Sequence, residues 1–173
     1  MKTFDPDPDT TGRPLRAAAL LLLGAGLSWY AYGSSTGALP ARALISLWAF
    51  LVVAVFTGLL WWMPARLRYL LDDGALVVQH FLGTRRILIE NLREVQRVPF
   101  VLGRRSGSAA LPGYYVGRFH SSLGRLTAYA GRPAGSGVLL VLNTGEQVLL
   151  TPRRPEQMAA ALERARKKLE KES

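Results

Sequence analysis

The chain has 173 residues, enough for one ordinary domain plus accessory segments, and an apolar content of 49% that is high for a wholly soluble protein. It contains no cysteine, which excludes disulfides, thiolate nucleophiles and Cys-type zinc or iron–sulfur sites. The formal charge of +10 is concentrated after Met63, where 18 Lys and Arg stand against 9 Asp and Glu. That part either faces an anionic partner or carries scattered, solvated arginines.

Residues 1–16 are predicted to be a disordered tail, because Asp5, Asp7 and Asp9 alternate with Pro6 and Pro8 and leave too little apolar surface to offset ordering entropy. From Ala17 to Tyr32 (AAALLLLGAGLSWYAY) runs an uncharged segment, about 24 Å as a helix and extendable to Leu39. It reads as a first membrane crossing. A cleaved secretory signal is the competing reading, since Arg13 and Arg16 precede it and the small residues Ala31 and Gly33 lie near its end.

The run from Ala43 to Met63 is free of charge and reaches about 32 Å as a helix, against a hydrocarbon core of roughly 30 Å. Trp61, Trp62, Arg66 and Arg68 close it with the aromatic anchor and basic flank of a cytoplasmic interface. Lys2, Arg13, Arg16, Arg66 and Arg68 fall on one side of the resulting hairpin and Arg42 on the other, which predicts a multi-pass protein of the inner (plasma) membrane with its following domain in the cytoplasm. Gly24 with Ser28, and Ala54 with Gly58, are small residues four apart, a spacing that predicts close helix packing within the hairpin, or homodimerisation.

After Pro64 the pattern changes to short apolar segments separated by turn residues, so residues 64–173 are read as one β-rich domain. Strands are predicted at Tyr69–Leu71, Ala75–Leu82, Arg85–Ile89, Glu94–Val101, Tyr114–Phe119, Leu126–Ala130, Val138–Leu142 and Gln147–Leu150. Asp72-Asp73-Gly74, Gly83-Thr84 and Asn143-Thr144-Gly145 are the expected hairpin turns. Pro99 marks its segment as an edge or a strand end, and Leu102 to Gly113 (LGRRSGSAALPG) is expected to be a mobile loop. A C-terminal helix is predicted over 155–171, beginning at Pro155 with Glu156 where the dipole favours an acid. Its apolar stripe is Met158, Leu162, Ala165 and Leu169.

From about Tyr69 to Lys168 the chain resembles bacterial pleckstrin-homology domains that follow membrane helices. The resemblance rests on Tyr69-Leu70-Leu71-Asp72-Asp73-Gly74, Gly117-Arg118-Phe119, Leu126-Thr127-Ala128-Tyr129, and Val148-Leu149-Leu150-Thr151-Pro152 leading to Pro155-Glu156. It implies a mainly-β PH-like sandwich or partly open barrel of about seven strands, capped by the C-terminal helix and acting by binding. Members that bind phosphoinositides place cations in the loop between the first two strands. Here that loop is Asp72-Asp73-Gly74, whose carboxylates repel an inositol phosphate.

No catalytic, metal or cofactor constellation is legible. His80 and His120 lack ligand spacing and are read as structural, Ser121 and Ser122 sit outside any G-x-S-x-G element, and no Walker-type sequence occurs. The expected function is therefore a non-enzymatic, membrane-anchored binding or scaffold protein whose PH-like domain docks a protein partner or self-associates. The alternative is diffuse electrostatic contact with anionic lipid headgroups, and nucleic-acid binding ranks third, because neither a helix-turn-helix nor an RNP-like run is present. The candidate binding surface is the paired arginines Arg85, Arg86, Arg104, Arg105, Arg153 and Arg154.

Overall fold

The computed structural model describes residues 2–7, 12–35, 41–72 and 74–172. The chain divides into two compact units, one of Thr10–Trp62 and the other of Met1–Asp9 with Met63–Ser173.

The first unit holds α1 (Gly12–Ser35) and α2 (Ala41–Ala65). The stretch Trp48–Ala65 is long and apolar enough to cross a bilayer and is only 12% buried, whereas the apolar part of α1, Ala17–Gly33, is shorter. Leu21, Trp29 and Trp48 are among the large apolar side chains left exposed, a surface unlike that of a core helix. The small residues pack differently from expectation. Gly26 faces Phe50, whose Cδ2 lies 3.7 Å from where a Cβ would stand, while Gly24 and Gly58 have nothing within 4 Å. Ser28 and Thr57 each donate a hydroxyl to the carbonyl four residues back, Gly24 and Val53, so these groups are satisfied on their own helix.

The second unit is a four-stranded antiparallel sheet and a closed barrel. The sheet runs β1 (Lys2–Phe4), β2 (Arg68–Asp72), β3 (Ala75–His80), β4 (Gly83–Leu88). A 3₁₀ turn at Ile89–Asn91 leads into the barrel of β5 (Leu92–Leu111), β6 (Tyr114–Ser121), β7 (Gly124–Ala130), β8 (Ala134–Leu142) and β9 (Gln147–Leu150), ordered β5-β6-β7-β9-β8 with β7 and β9 parallel. The helix α3 (Pro155–Glu172) packs on β5, β8 and the 3₁₀ turn.

Alternation builds the core. Leu139 of β8 joins Phe100, Phe119, Leu126, Ala128 and Leu149 inside the barrel. Its neighbours Val138, Leu140 and Leu142 are buried too and by the period of two face outward, where α3 covers the strand with buried Met158, Ala161 and Leu162. Sheet and barrel are pinned by the buried Tyr69, whose hydroxyl donates to the Tyr129 carbonyl at 2.7 Å and accepts from the Thr151 N–H at 3.3 Å. Burial raises the Tyr69 phenol well above its ordinary range.

Three expectations are corrected. The tail predicted as disordered is ordered over Lys2–Asp7. Lys2, Thr3 and Phe4 pair with Leu71, Leu70 and Tyr69; the Asp7 N–H donates to the Thr151 carbonyl, and the Arg153 N–H to that of Asp5. Asp7 also pairs with Arg132 at 2.6 Å. A polar segment orders here because it joins an existing sheet edge and needs no core of its own. The residues from Gly12 to Arg16 belong to α1.

The predicted mobile loop at 102–113 is instead the second half of β5, which crosses over from β8 to β6 through two register shifts. Glycine permits the crossing at Gly103, where a Cβ would lie 2.9 Å from the His120 carbonyl oxygen. Pro99 lies within β5 in the half that has β8 as its ladder partner, before the β6 ladder begins at Leu102, so it sits on an edge-like half of the strand as expected.

The β3–β4 turn is at Phe81–Leu82 and not Gly83–Thr84, with His80 paired to Gly83 and the Phe81 N–H donating to the Tyr114 hydroxyl. On α3, Arg166 pairs with Glu170 at 3.4 Å and also donates to the Arg93 carbonyl. The turn at Gly74 matches its sequence, with φ of +79°.

Candidate functional site

The outer face of the β6–β7 hairpin is where cations converge. In the ladder Arg118 opposes Thr127 and His120 opposes Arg125, while the alternating Phe119 and Leu126 point into the core. One strand pair thus displays two arginines and a histidine on one surface. The β8–β9 turn closes one side with Glu146 and Gln147, and Ser106 of the irregular part of β5 closes the other, leaving a cleft of about 440 Å³. An adjoining depression of about 500 Å³ is lined by Arg104, Arg105, Ser106 and His120, so the two share a wall.

Glu146 is the acid at this cleft and is already engaged. Its carboxylate accepts from Arg85 Nη2 at 2.6 Å and from the Thr127 hydroxyl at 3.0 Å. Arg85 in turn lies 5.9 Å from the centre of the Tyr129 ring and donates to its hydroxyl at 3.4 Å. The Arg85 hydrogen bond holds the Glu146 carboxyl below the usual carboxylate range despite partial burial, with Thr127 and the Arg118 charge acting the same way. Arg85 is shifted up, chiefly by the same bond. This pair ties β4 of the sheet to the barrel and neutralises itself, so the remaining charge of the cleft is that of Arg118 and Arg125, with Arg104 and Arg105 beside them.

The six arginines predicted from sequence do not form one surface. Arg104 and Arg105 are exposed on β5 beside the cleft. Arg85 is consumed by Glu146, and its neighbour Arg86 is exposed on β4. Arg153 and Arg154 line a separate depression with Thr3, Phe4, Asp5 and Gln157. Sequence reasoning missed Arg118 and Arg125, which carry the cleft. The signal was present in the alternation Arg118-Phe119-His120 and in Arg125 across the Ser122–Leu123 turn, but a singleton arginine draws less notice than a pair. His80 packs against Tyr129 with ring centroids 5.4 Å apart and is held below the ordinary imidazole pKa by burial. His120 is not a core residue. It is exposed, and its Nε2 accepts from Arg125 Nε at 3.1 Å.

The family model described as Bacterial PH domain matches residues 67–166. The chain belongs to that family. The match covers the PH domain from just before β2 to the last turns of α3 and leaves out β1 and both long helices. No curated protein and no solved structure matches the chain. PH domains are typically binding modules without catalysis, and this one places an exposed acid, Asp72, at its β2–β3 turn and two arginines, Arg118 and Arg125, on the β6–β7 hairpin.

Proposed function

We propose that the protein is a non-enzymatic binding module held in the inner membrane by the α1–α2 hairpin, whose PH domain docks a protein partner or a second copy of the chain at the cytoplasmic face. The observation that carries this reading is the order of the strands in the chain. β1 precedes both helices, yet its ladder partner is β2, which follows them. A strand and its partner must be on the same side of a bilayer, so an even number of crossings between them is required. Two helices meet that requirement and a cleaved signal does not, since cleavage removes β1. The exposed, uncharged stretch Trp48–Ala65 supports a crossing at α2, and the flanking Arg66 and Arg68 favour the cytoplasmic side.

Docking is supported by the domain's family and by the arginines and histidine that line its clefts, which suit a partner of opposite charge. A second reading, diffuse contact with anionic headgroups, is favoured by the exposed Arg104 and Arg105. A photo-crosslinking residue at Arg86 or Ser106 of the full chain in intact cells tests the choice. Discrete protein adducts are expected; adducts with lipid alone, or none, overturn the docking role.

A further inference from the structure

We infer that the groove between the edge of β2 and residues 151–153 is a peptide-binding site, and that the N-terminal segment 2–7, which fills it within one chain here, is exchanged between two copies of the chain. The inference goes beyond the docking reading, because the contact it names uses the N-terminal strand and none of the arginine-lined clefts.

Three observations converge. The first is a groove built around its occupant. Lys2, Thr3 and Phe4 ladder with Leu71, Leu70 and Tyr69 on one side. On the other the Asp7 N–H donates to the Thr151 carbonyl and the Arg153 N–H to the Asp5 carbonyl, both at 2.9 Å, with Pro6 bridged to Pro152 between them. Gly131 backs the segment so closely that a Cβ there would collide with the Asp7 carbonyl oxygen. Arg132 Nη1 lies 2.6 Å from Asp7 Oδ2, and its Nη2 is anchored on the Ser136 carbonyl at 3.0 Å. The groove therefore takes an extended backbone with a carboxylate at its far end, and selects by the missing side chain at 131 and the charge at 132.

The second is that the occupant is separable. The family match begins at residue 67 and leaves the segment out, so it is an addition to the fold the family shares. None of residues 2–7 is buried. Depressions of about 450 and 280 Å³ open beside it, between Phe4 and the first turns of α3. Main-chain bonds and one ion pair hold it rather than packing. The third is its chemistry as a ligand. Pro6 and Pro8 restrict Asp5 and Asp7 before them to extended backbone, so the released segment keeps the bound conformation and loses little entropy on docking.

The occupant that fits without alteration is the same segment of a second copy. Reciprocal exchange fills both grooves in a closed twofold arrangement and remakes each hydrogen bond and the ion pair, so no contact is lost. Under the membrane topology proposed above, the two copies carry their segments on the same side of one bilayer, which raises the effective concentration of each for the other's groove.

The test uses full chains in native membranes. One tagged copy carries Thr3→Cys, and a co-expressed copy with a different tag carries Leu70→Cys at its ladder partner; the parent chain has no cysteine. Copper phenanthroline should join the two tags, because directly opposed ladder residues lie within reach of a disulfide. A single chain with both substitutions should oxidise internally, and Thr3→Cys with Gly145→Cys, in the β8–β9 turn, should give background only. Arg132→Glu in the Leu70→Cys copy repels the incoming Asp7 and should lower the inter-tag disulfide roughly fivefold or more. In the Thr3→Cys copy the same substitution expels that copy's own strand and should raise it. Gly131→Val, which acts by filling space and not by charge, should move the yield in the same two directions. An absent inter-tag disulfide, failure of the single-chain control, a yield matched by Gly145→Cys, or effects of Arg132→Glu that have one sign in both copies would each overturn the inference. Photo-adducts with a protein at Arg86 or Ser106 without the inter-tag disulfide refute the exchange alone, and the disulfide without such adducts refutes the docking role alone.

Discussion

Replacing Glu146 with glutamine should loosen the junction between sheet and barrel, and the size of the effect follows from the burial of the pair. Arg85 and Glu146 are 2.6 Å apart with side chains 28% and 38% exposed. Fully exposed pairs contribute about 0.2–1 kcal/mol, and breaking a buried one costs about 3–5 kcal/mol. Solvent screening at these exposures places Glu146→Gln near the lower range, at about 1–2 kcal/mol, or roughly 4–8 °C in Tm for a domain of this size. The pH dependence has a definite sign. The Glu146 carboxyl is held below its unfolded value, so its contribution is fully present above the unfolded carboxylate pKa and is lost as pH falls through the folded one. Thermal unfolding of the full chain, followed by circular dichroism from neutral pH downward, should therefore show a gap between parent and Glu146→Gln at pH 7 that closes in acid. Arg85→Ala and the double variant complete a cycle whose coupling isolates the pair. A coupling under about 0.3 kcal/mol, within the error of additivity, or a gap that does not change with pH, would refute the assignment of Glu146 to this junction.

Leu149→Ala removes a fully buried side chain from the barrel interior and should cost about 2–5 kcal/mol in denaturant unfolding; a loss below 1 kcal/mol would mean that the barrel is not the core. Gly103→Val places a side chain against the His120 carbonyl oxygen, 2.9 Å from the Cβ position, and should destabilise by about 1–3 kcal/mol, with hydrogen exchange accelerated first in β5 and β6. Asp7→Asn severs the ion pair to Arg132, whose side chains are 23% and 27% exposed, and should cost about 1–2 kcal/mol; an unchanged Tm would show that the N-terminal segment does not hold the domain.

The elements whose signals are local were legible. Turn residues at Gly74 and Gly145, the β8 run Val138–Leu142 and the stripe Met158–Leu162 on α3 each specify conformation or burial through residues close in sequence, and each falls where expected. What depended on distant pairing was not legible. Lys2–Phe4 has no apolar alternation of its own and becomes a strand only because β2 supplies an edge. The Gly-, Ser- and Arg-rich stretch 102–111 has loop composition, yet small residues are what a strand needs to bend from one neighbour to another. The cleft divided in the same way. Arg104 and Arg105 stood out as a pair, but their association with Arg118 and Arg125 is fixed by the β5–β6–β7 register, and the loss of Arg85 to Glu146 by a contact 61 residues apart in sequence.

The placement of the hairpin between β1 and β2 is tested most directly by the sidedness of single cysteines, which the cysteine-free chain allows without background. Thr3→Cys, Gly37→Cys and Gly145→Cys are each exposed in intact cells to a membrane-impermeant maleimide; Gly37 lies between the helices, outside the described residues. The account requires Gly37→Cys to react from outside while Thr3→Cys and Gly145→Cys react only after the membrane is opened. Reaction of Thr3→Cys from outside with Gly145→Cys still protected would put β1 and the barrel on opposite sides and contradict it.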